Sequence, residues 1–279
     1  MVQIVADSTC DLSRERLAQI GVVCVPLTVF FGEETFTDGV DLTPQEFYHK
    51  LRTKDETPTT AQPTPYLFEE VFRKALDNGD EVLCLFLGGK LSGTAQSANI
   101  AKETIGSDKI QIIDTDNVCA SLGLLVEIAA KRAKEGVGLL ALFEEMKELC
   151  SRVKFFCAVE TLKYLRKGGR LSGTAAIMGT MLNLHPIVTI ENGLIVNIAK
   201  EKGKRRLISK MKELTMSVGV DEAYPIMFSQ ADAMDNMERL KEQFVDMFDN
   251  SNCLTSDIGA VVGTHIGPGC TAIAFIAKQ

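Results

Sequence analysis

Between Val2 and Arg152, short apolar runs rich in β-branched residues alternate with segments whose apolar residues recur at helical spacing. No other feature constrains the fold as much. Residues 2–6 read as a strand, 11–20 as a helix and 22–31 as a second strand. Residues 45–52 and 65–78 have helical spacing, the latter opened by Thr64 and Pro65 and closed by Gly79. A strand over 81–87, a glycine-rich turn over 88–93 and a helix to about residue 105 follow, then a strand over 109–113. Helices over 120–135 and 139–152 complete this half. Such alternation predicts an α/β arrangement with a parallel sheet, which binds ligands beyond the carboxyl ends of its strands. Asp7-Ser8-Thr9, the 88–94 turn and Asp114-Thr115 are therefore expected along one edge.

The second half has a different rhythm. Residues 154–159 read as a strand, 161–165 lead into Lys167-Gly168-Gly169-Arg170, and a helix is expected over about 174–182. Residues 187–191 and 194–199 flank Asn192-Gly193, the strongest short hairpin signal. Helices near 207–218 and 235–247 enclose a strand over 223–229, and 258–262 and 271–276 read as strands around a glycine-rich loop. The expectation is two domains: residues 1–155 with a parallel sheet between helices, and residues 156–279 with a mixed α/β sheet.

Composition removes several function classes. Thirty Lys+Arg against 37 Asp+Glu give a net charge of −7, which argues against a dedicated nucleic-acid binder. With 46% hydrophobic residues, 6% aromatic and no Trp, the chain is too apolar for disorder, and aliphatic side chains supply its apolar surface. The start Met1-Val2-Gln3-Ile4 has no basic region or long apolar run, so a cytoplasmic location is expected. Eight cysteines without a C-x-x-C pair read as reduced core residues, and the three histidines do not cluster with them, so neither metal nor cofactor is expected.

Five segments could carry chemistry. Gly88-Gly89-Lys90-Leu91-Ser92-Gly93-Thr94-Ala95 recurs as Gly168-Gly169-Arg170-Leu171-Ser172-Gly173-Thr174-Ala175. Each copy reads as a glycine turn delivering a helix N-terminus, where free N–H groups attract anions, or as an N-cap that only shapes the turn. Thr57-Pro58-Thr59-Thr60-Ala61-Gln62-Pro63 should be stiff and extended, because proline fixes φ. His265 stands in a glycine-flanked loop, where backbone can approach closely. Residues 199–212 hold seven Lys or Arg, among them Lys202, Arg205 and Arg206, against Glu201 alone. That reversal of sign reads as a solvated helix face or as a docking patch for an acidic protein or lipid headgroups.

Enzyme templates fit poorly: P-loop, G-x-S-x-G, H-E-x-x-H and G-x-G-x-x-G spacings are missing. Taken in order, however, Asp7-Ser8-Thr9-Cys10-Asp11, Pro58-Thr59-Thr60-Ala61-Gln62-Pro63, Leu91-Ser92-Gly93-Thr94, Lys167-Gly168-Gly169-Arg170 and His265-Ile266-Gly267-Pro268-Gly269 make the whole chain resemble the DegV family of bacterial fatty-acid-binding proteins. That resemblance implies a DegV-like fold with the ligand between its two domains, and a lipid-binding carrier with no catalytic residues. Such a carrier presents a long-chain fatty acid to a separate fatty acid kinase, which makes an acyl phosphate for phospholipid synthesis. It further implies that Thr60 and Ser92 bind the carboxylate, with Gly93, Thr94 and His265 nearby. Arg170, Lys202, Arg205 and Arg206 are implied in partner docking, with transient membrane contact.

Some positions depart from the family pattern. Gly88, Gly89 and Ala61 stand where serine is frequent, His185 where lysine is, and Lys202 where kinase-binding members tend to have arginine. Arginine and lysine differ in donor geometry, which bears directly on kinase docking. The competing reading is a serine hydrolase using Ser92 as nucleophile and His265 as base.

Overall fold

The computed structural model describes residues 1–54, 56–172, 184–249 and 251–279. Its first part runs β1 (Val2–Asp7), α1 (Arg14–Ile20), β2 (Val23–Val25), β3 (Thr28–Phe31), β4 (Glu34–Thr37), α2 (Pro44–Thr53) and β5 (Thr59–Ala61). There follow α3 (Pro65–Asp77), β6 (Glu81–Phe86), α4 (Thr94–Ile105), β7 (Ile110–Asp114), α5 (Ala120–Lys134) and α6 (Leu139–Arg152). The remainder comprises β8 (Val153–Ala158), α7 (Lys163–Lys167), β9 (Leu184–Glu191), β10 (Leu194–Lys202) and α8 (Lys204–Val218). It ends with β11 (Ile226–Ala231), α9 (Met234–Lys241), β12 (Cys253–Asp257), α10 (Ala260–Ile266) and β13 (Cys270–Ile276).

Strand β6 shows how the layers arise. Its side chains alternate between faces, and both faces are apolar. Val82, Cys84 and Phe86 pack with Phe68 and Phe72 of α3 and Ala95 and Ala98 of α4. Leu83 and Leu85 join a second cluster with Leu122 and Leu125 of α5. The sheet is parallel, in the order β2-β1-β6-β7. A six-stranded mixed sheet, β10-β9-β8-β13-β11-β12, repeats the device. Phe155, Cys157, Ala272 and Ala274 face the cluster containing α5, while Phe156, Phe228, Ile273 and Phe275 pack with Leu207 and Met211 of α8.

Helix α5 is shared by the two sheets: every residue from Ala120 to Ala130 is buried, and it contacts β1 and β6 as well as β8, β11 and β13. A helix that is buried all round cannot be amphipathic, which explains the unbroken run Leu122-Gly123-Leu124-Leu125-Val126. Gly123 leaves room for the Cys10 carbonyl and the Met227 side chain. The one charged residue of that stretch, Glu127, is held by two hydrogen bonds from Arg16, Nε at 2.6 Å and Nη2 at 2.7 Å.

Several elements differ from the sequence reading. The single strand expected over 22–31 is two strands in two sheets, β2 in the parallel sheet and β3 in a three-stranded antiparallel sheet of order β4-β3-β5. Pro26 lacks an N–H and cannot continue a ladder, and the Leu27 N–H instead donates to Ser8 Oγ at 3.1 Å. The strand expected over 258–262 belongs mostly to helix α10, so His265 lies in that helix's last turn and not in a loop. The helix starts there because two carboxylates receive its first N–H groups: Gly259 N donates to Asp11 at 2.8 Å and Ala260 N to Asp38 at 3.0 Å. Helix α9 ends at Lys241 and gives way to a short 3-10 turn, Glu242–Phe244. The helix expected over 174–182 lies outside the described residues.

Candidate functional site

One cavity opens beyond the carboxyl ends of β1 and β6, and strands of the three-stranded and six-stranded sheets contribute to its walls. Thr60, Ala61 and Gln62 enter from β5 and the residue after it, and Leu91, Ser92 and Gly93 from the turn before α4. Val118 and Cys119 come from the start of α5, and Val261, Val262, His265 and Ile266 from α10. Phe155 of β8, Leu165 of α7, Val188 of β9 and Ile195 of β10 add aliphatic and aromatic surface. Helix α10 and the 91–93 turn thus supply both polar and apolar lining, whereas β8, α7, β9 and β10 supply apolar surface.

Thr60 Oγ1 lies 3.0 Å from His265 Nε2. Ser92 Oγ lies 3.0 Å from Thr94 Oγ1, and Thr94 is fully buried behind it. Helix α4 begins at Gly93 without a side-chain cap, so the first N–H groups of a twelve-residue helix open beside Ser92. Gln62 Nε2 donates to Ser97 Oγ at 3.0 Å and so ties the β5 segment to the same helix. Below the floor, Asp7 accepts from Thr9 N at 2.9 Å and from Leu87 N at 2.8 Å, and burial pushes its carboxyl up to about 6. Cys119 joins the wall with φ 59°, a left-handed value unusual for a residue with a Cβ, and its N–H donates to Thr9 O at 2.8 Å.

Burial pushes the His265 imidazole down to about 4, and the Arg170 charge adds to that effect. The ring is therefore neutral at neutral pH, with one donor and one acceptor nitrogen. Nδ1 has no hydrogen-bond partner among the described residues and faces Gly168, where a Cβ would collide with it. Arg170 also lines the cavity; its Nε donates to Leu91 O at 3.1 Å and its Nη1 to Gly168 O at 2.6 Å.

The structure brings Thr60, Ser92, Gly93 and His265 to one cavity and places Thr94 behind Ser92. Arg170 stands in the cavity wall, whereas Lys202, Arg205 and Arg206 are exposed at the end of β10 and the start of α8. For the hydrolase alternative, the described hydrogen bonds pair Ser92 with Thr94 and His265 with Thr60, so the nucleophile–base contact that chemistry requires is not among them. Sequence reasoning did not single out Gln62 as a site residue, although it lies two positions after Thr60. It also missed Phe155, Leu165, Val188 and Ile195, which look like ordinary core residues. No group of three or more His, Cys, Asp or Glu suited to a metal ion occurs among the described residues.

A family model described as "Uncharacterised protein, DegV family" matches residues 1–278. A DegV domain-containing protein of Halalkalibacterium halodurans is 32% identical, over 100% of this chain and 99% of the relative. Another, from Caldanaerobacter subterraneus, is 32% identical over 99% of each chain. A DegV family protein from Thermus thermophilus, solved with reference to fatty acid binding, superposes with a TM-score of 0.90 at 30% identity over 99% of both chains. DegV from Bacillus subtilis, a fatty acid binding protein, superposes with a TM-score of 0.84 at 27% identity over 99% of both chains.

Proposed function

Since the chain belongs to the DegV family, we propose that it binds a long-chain fatty acid in the cavity beyond the strand ends of its parallel sheet and presents the carboxylate to a separate fatty acid kinase. The observation that carries this reading is that one cavity is lined both by hydroxyl-bearing residues, Thr60 and Ser92, and by large apolar ones, Phe155, Val188 and Ile195. An ionised carboxylate has about four acceptor positions. The Thr60 and Ser92 hydroxyls and the N–H groups at Gly93 and Thr94 supply donors for them. Neutral His265, donating from Nε2 to Thr60 Oγ1, would leave the Thr60 proton free for the ligand.

The tail supplies most of the gross affinity. At about 0.8 kcal/mol per buried CH₂, a chain of ~16 carbons gains roughly 12 kcal/mol before the entropic costs of binding. The domains in this reading are residues 1–155 and 156–279. Lys202, Arg205 and Arg206 form the docking surface for the kinase, and the acyl phosphate made there feeds phospholipid synthesis. Solvent extraction of the purified protein followed by mass spectrometry should release a fatty acid. A protein that neither carries a lipid nor binds added fatty acid would refute the carrier reading.

A further inference from the structure

We propose that Gln62 is a positioning residue for the ligand head group: its carboxamide sets the spacing between the strand segment that bears Thr60 and the helix start that bears Ser92. This rests on the acyl-binding reading above and addresses how two hydroxyls on separate elements come to face one carboxylate.

The contact between Gln62 and Gly93 carries the argument. A Cβ built on Gly93 would lie 2.7 Å from Gln62 Nε2 and 2.8 Å from Gln62 Cδ, and closer still to Oε1. The carboxamide therefore lies against the Gly93 Cα. Gly93 has φ −81° and ψ 14°, a backbone conformation open to residues with a side chain. A side chain at this position would therefore meet the Gln62 carboxamide and not a backbone restriction, and Gln62 would have to move aside for it. The same carboxamide donates from Nε2 to Ser97 Oγ at 3.0 Å, and Ser97 is 3% exposed on the first turn of α4. Gln62 is thus fixed at two points of α4 while its own backbone continues the β5 segment.

Hydroxyl hydrogen bonds are favourable only over about 2.5–3.0 Å. A carboxylate held by Thr60 and Ser92 together needs β5 and the α4 start at one separation. Shortening Gln62 removes the spacer, and enlarging Gly93 wedges it outward. Both changes should act on the head group and leave the apolar walls as they are.

The test compares palmitate with hexadecanol, which share a tail and differ in the head, on purified wild type, Gln62→Ala, Gly93→Ala and the double variant, with thermal melting to verify folding. Gln62→Ala should weaken palmitate about tenfold and hexadecanol less than about twofold. Gly93→Ala should weaken palmitate at least as much. The double variant should match Gln62→Ala, because a Cβ at position 93 has room once Gln62 is shortened. A near-isosteric second variant, Gln62→Glu, keeps the packing and sets a charge beside the head. Its palmitate affinity relative to wild type should fall between about pH 5 and pH 8, with hexadecanol binding unchanged.

Unaltered palmitate binding in Gln62→Ala, equal losses for acid and alcohol, or a double variant showing the product of the two single losses would each overturn the proposal. Wild type that binds neither ligand would remove the acyl-binding reading itself, and the proposal with it.

Discussion

Thr60 and His265 are 205 positions apart in the chain, yet Thr60 Oγ1 and His265 Nε2 lie 3.0 Å apart in the cavity wall. Gly168 stands behind the ring, and a Cβ there would strike Nδ1. Gly168 has φ −75°, so Gly168→Ala costs no backbone strain and should act by displacing the imidazole. Fatty acid affinity should fall roughly tenfold with the melting temperature little changed. Equal affinity in titration calorimetry would show that the ring does not support Thr60.

Ser92→Ala removes one carboxylate donor and leaves Thr94 Oγ1 without its 3.0 Å partner. Loss of one hydrogen bond to a charged acceptor costs about 1.5–3 kcal/mol, roughly tenfold or more in affinity. Competition with a fluorescent fatty acid measures it. Affinity equal to wild type would take Ser92 out of the binding set.

Val188 is 1% exposed and lines the apolar part of the cavity from β9. Val188→Phe adds volume there. Overpacking of this kind costs about 1–3 kcal/mol of stability and should shift preference toward shorter fatty acids. The ratio of dissociation constants for a long and a short saturated acid reports it. An unchanged ratio would place the tail elsewhere.

Buried charge sets two opposed pH effects. Burial raises Asp38 from 3.8 to about 6. Between those values the folded chain holds more protons than the unfolded one, so the contribution of Asp38 to stability falls as pH rises through that window and stays unfavourable above it. Asp38→Asn keeps an oxygen for the Ala260 N–H. It should stabilise the fold above about pH 7 by at most about 3 kcal/mol, seen as a higher melting temperature, and lose that advantage near pH 4.

His265 has the opposite sign, because burial lowers it from 6.5 to about 4. Its contribution is fully present above about pH 6.5 and is lost as pH falls toward 4. His265→Gln should lessen acid destabilisation over that window. Melting curves across pH for wild type and both variants separate the two effects, and parallel curves for all three would contradict both.

Arg16 is the partner of a carboxylate inside the shared helix: the Glu127 side chain is 7% exposed, and the bridge is 2.6 Å at Nε. Arg16→Met leaves that carboxylate buried and unpaired and should cost roughly 2–3 kcal/mol. Arg16→Met with Glu127→Leu should recover most of the loss. Chemical denaturation of the single and double variants decides between this account and a surface ion pair of little consequence.

Much of the layering was legible because it depends on local pattern. The apolar runs at β1, β6 and β8, the spacing of α3, α5 and α6, and the Asn192-Gly193 turn between β9 and β10 all follow from periodicity and turn chemistry. The misreadings fall where a distant group decides. Residues 258–262 are apolar and β-branched enough for a strand, but Asp11 and Asp38, from far upstream, receive the N–H groups at Gly259 and Ala260 and make a helix start. Pro26 was visible, yet its effect, sending β2 and β3 to different sheets, depends on which partners each strand finds.

The amino-acid sequence by itself determined the α/β character, the glycine turn ahead of α4, the stiff Thr-Pro segment and, through motif order, the family. These properties reside in neighbouring residues and need no partner. Tertiary structure alone decided that Thr60 meets His265, that Gln62 fills the space above Gly93, and that Arg170 stands in the cavity wall. It also decided that Phe155, Leu165, Val188 and Ile195 share a cavity. Side chains of that kind look the same in sequence whether they fill a core or line a cavity, because the hydrophobic effect rewards removal from water without specifying the neighbour.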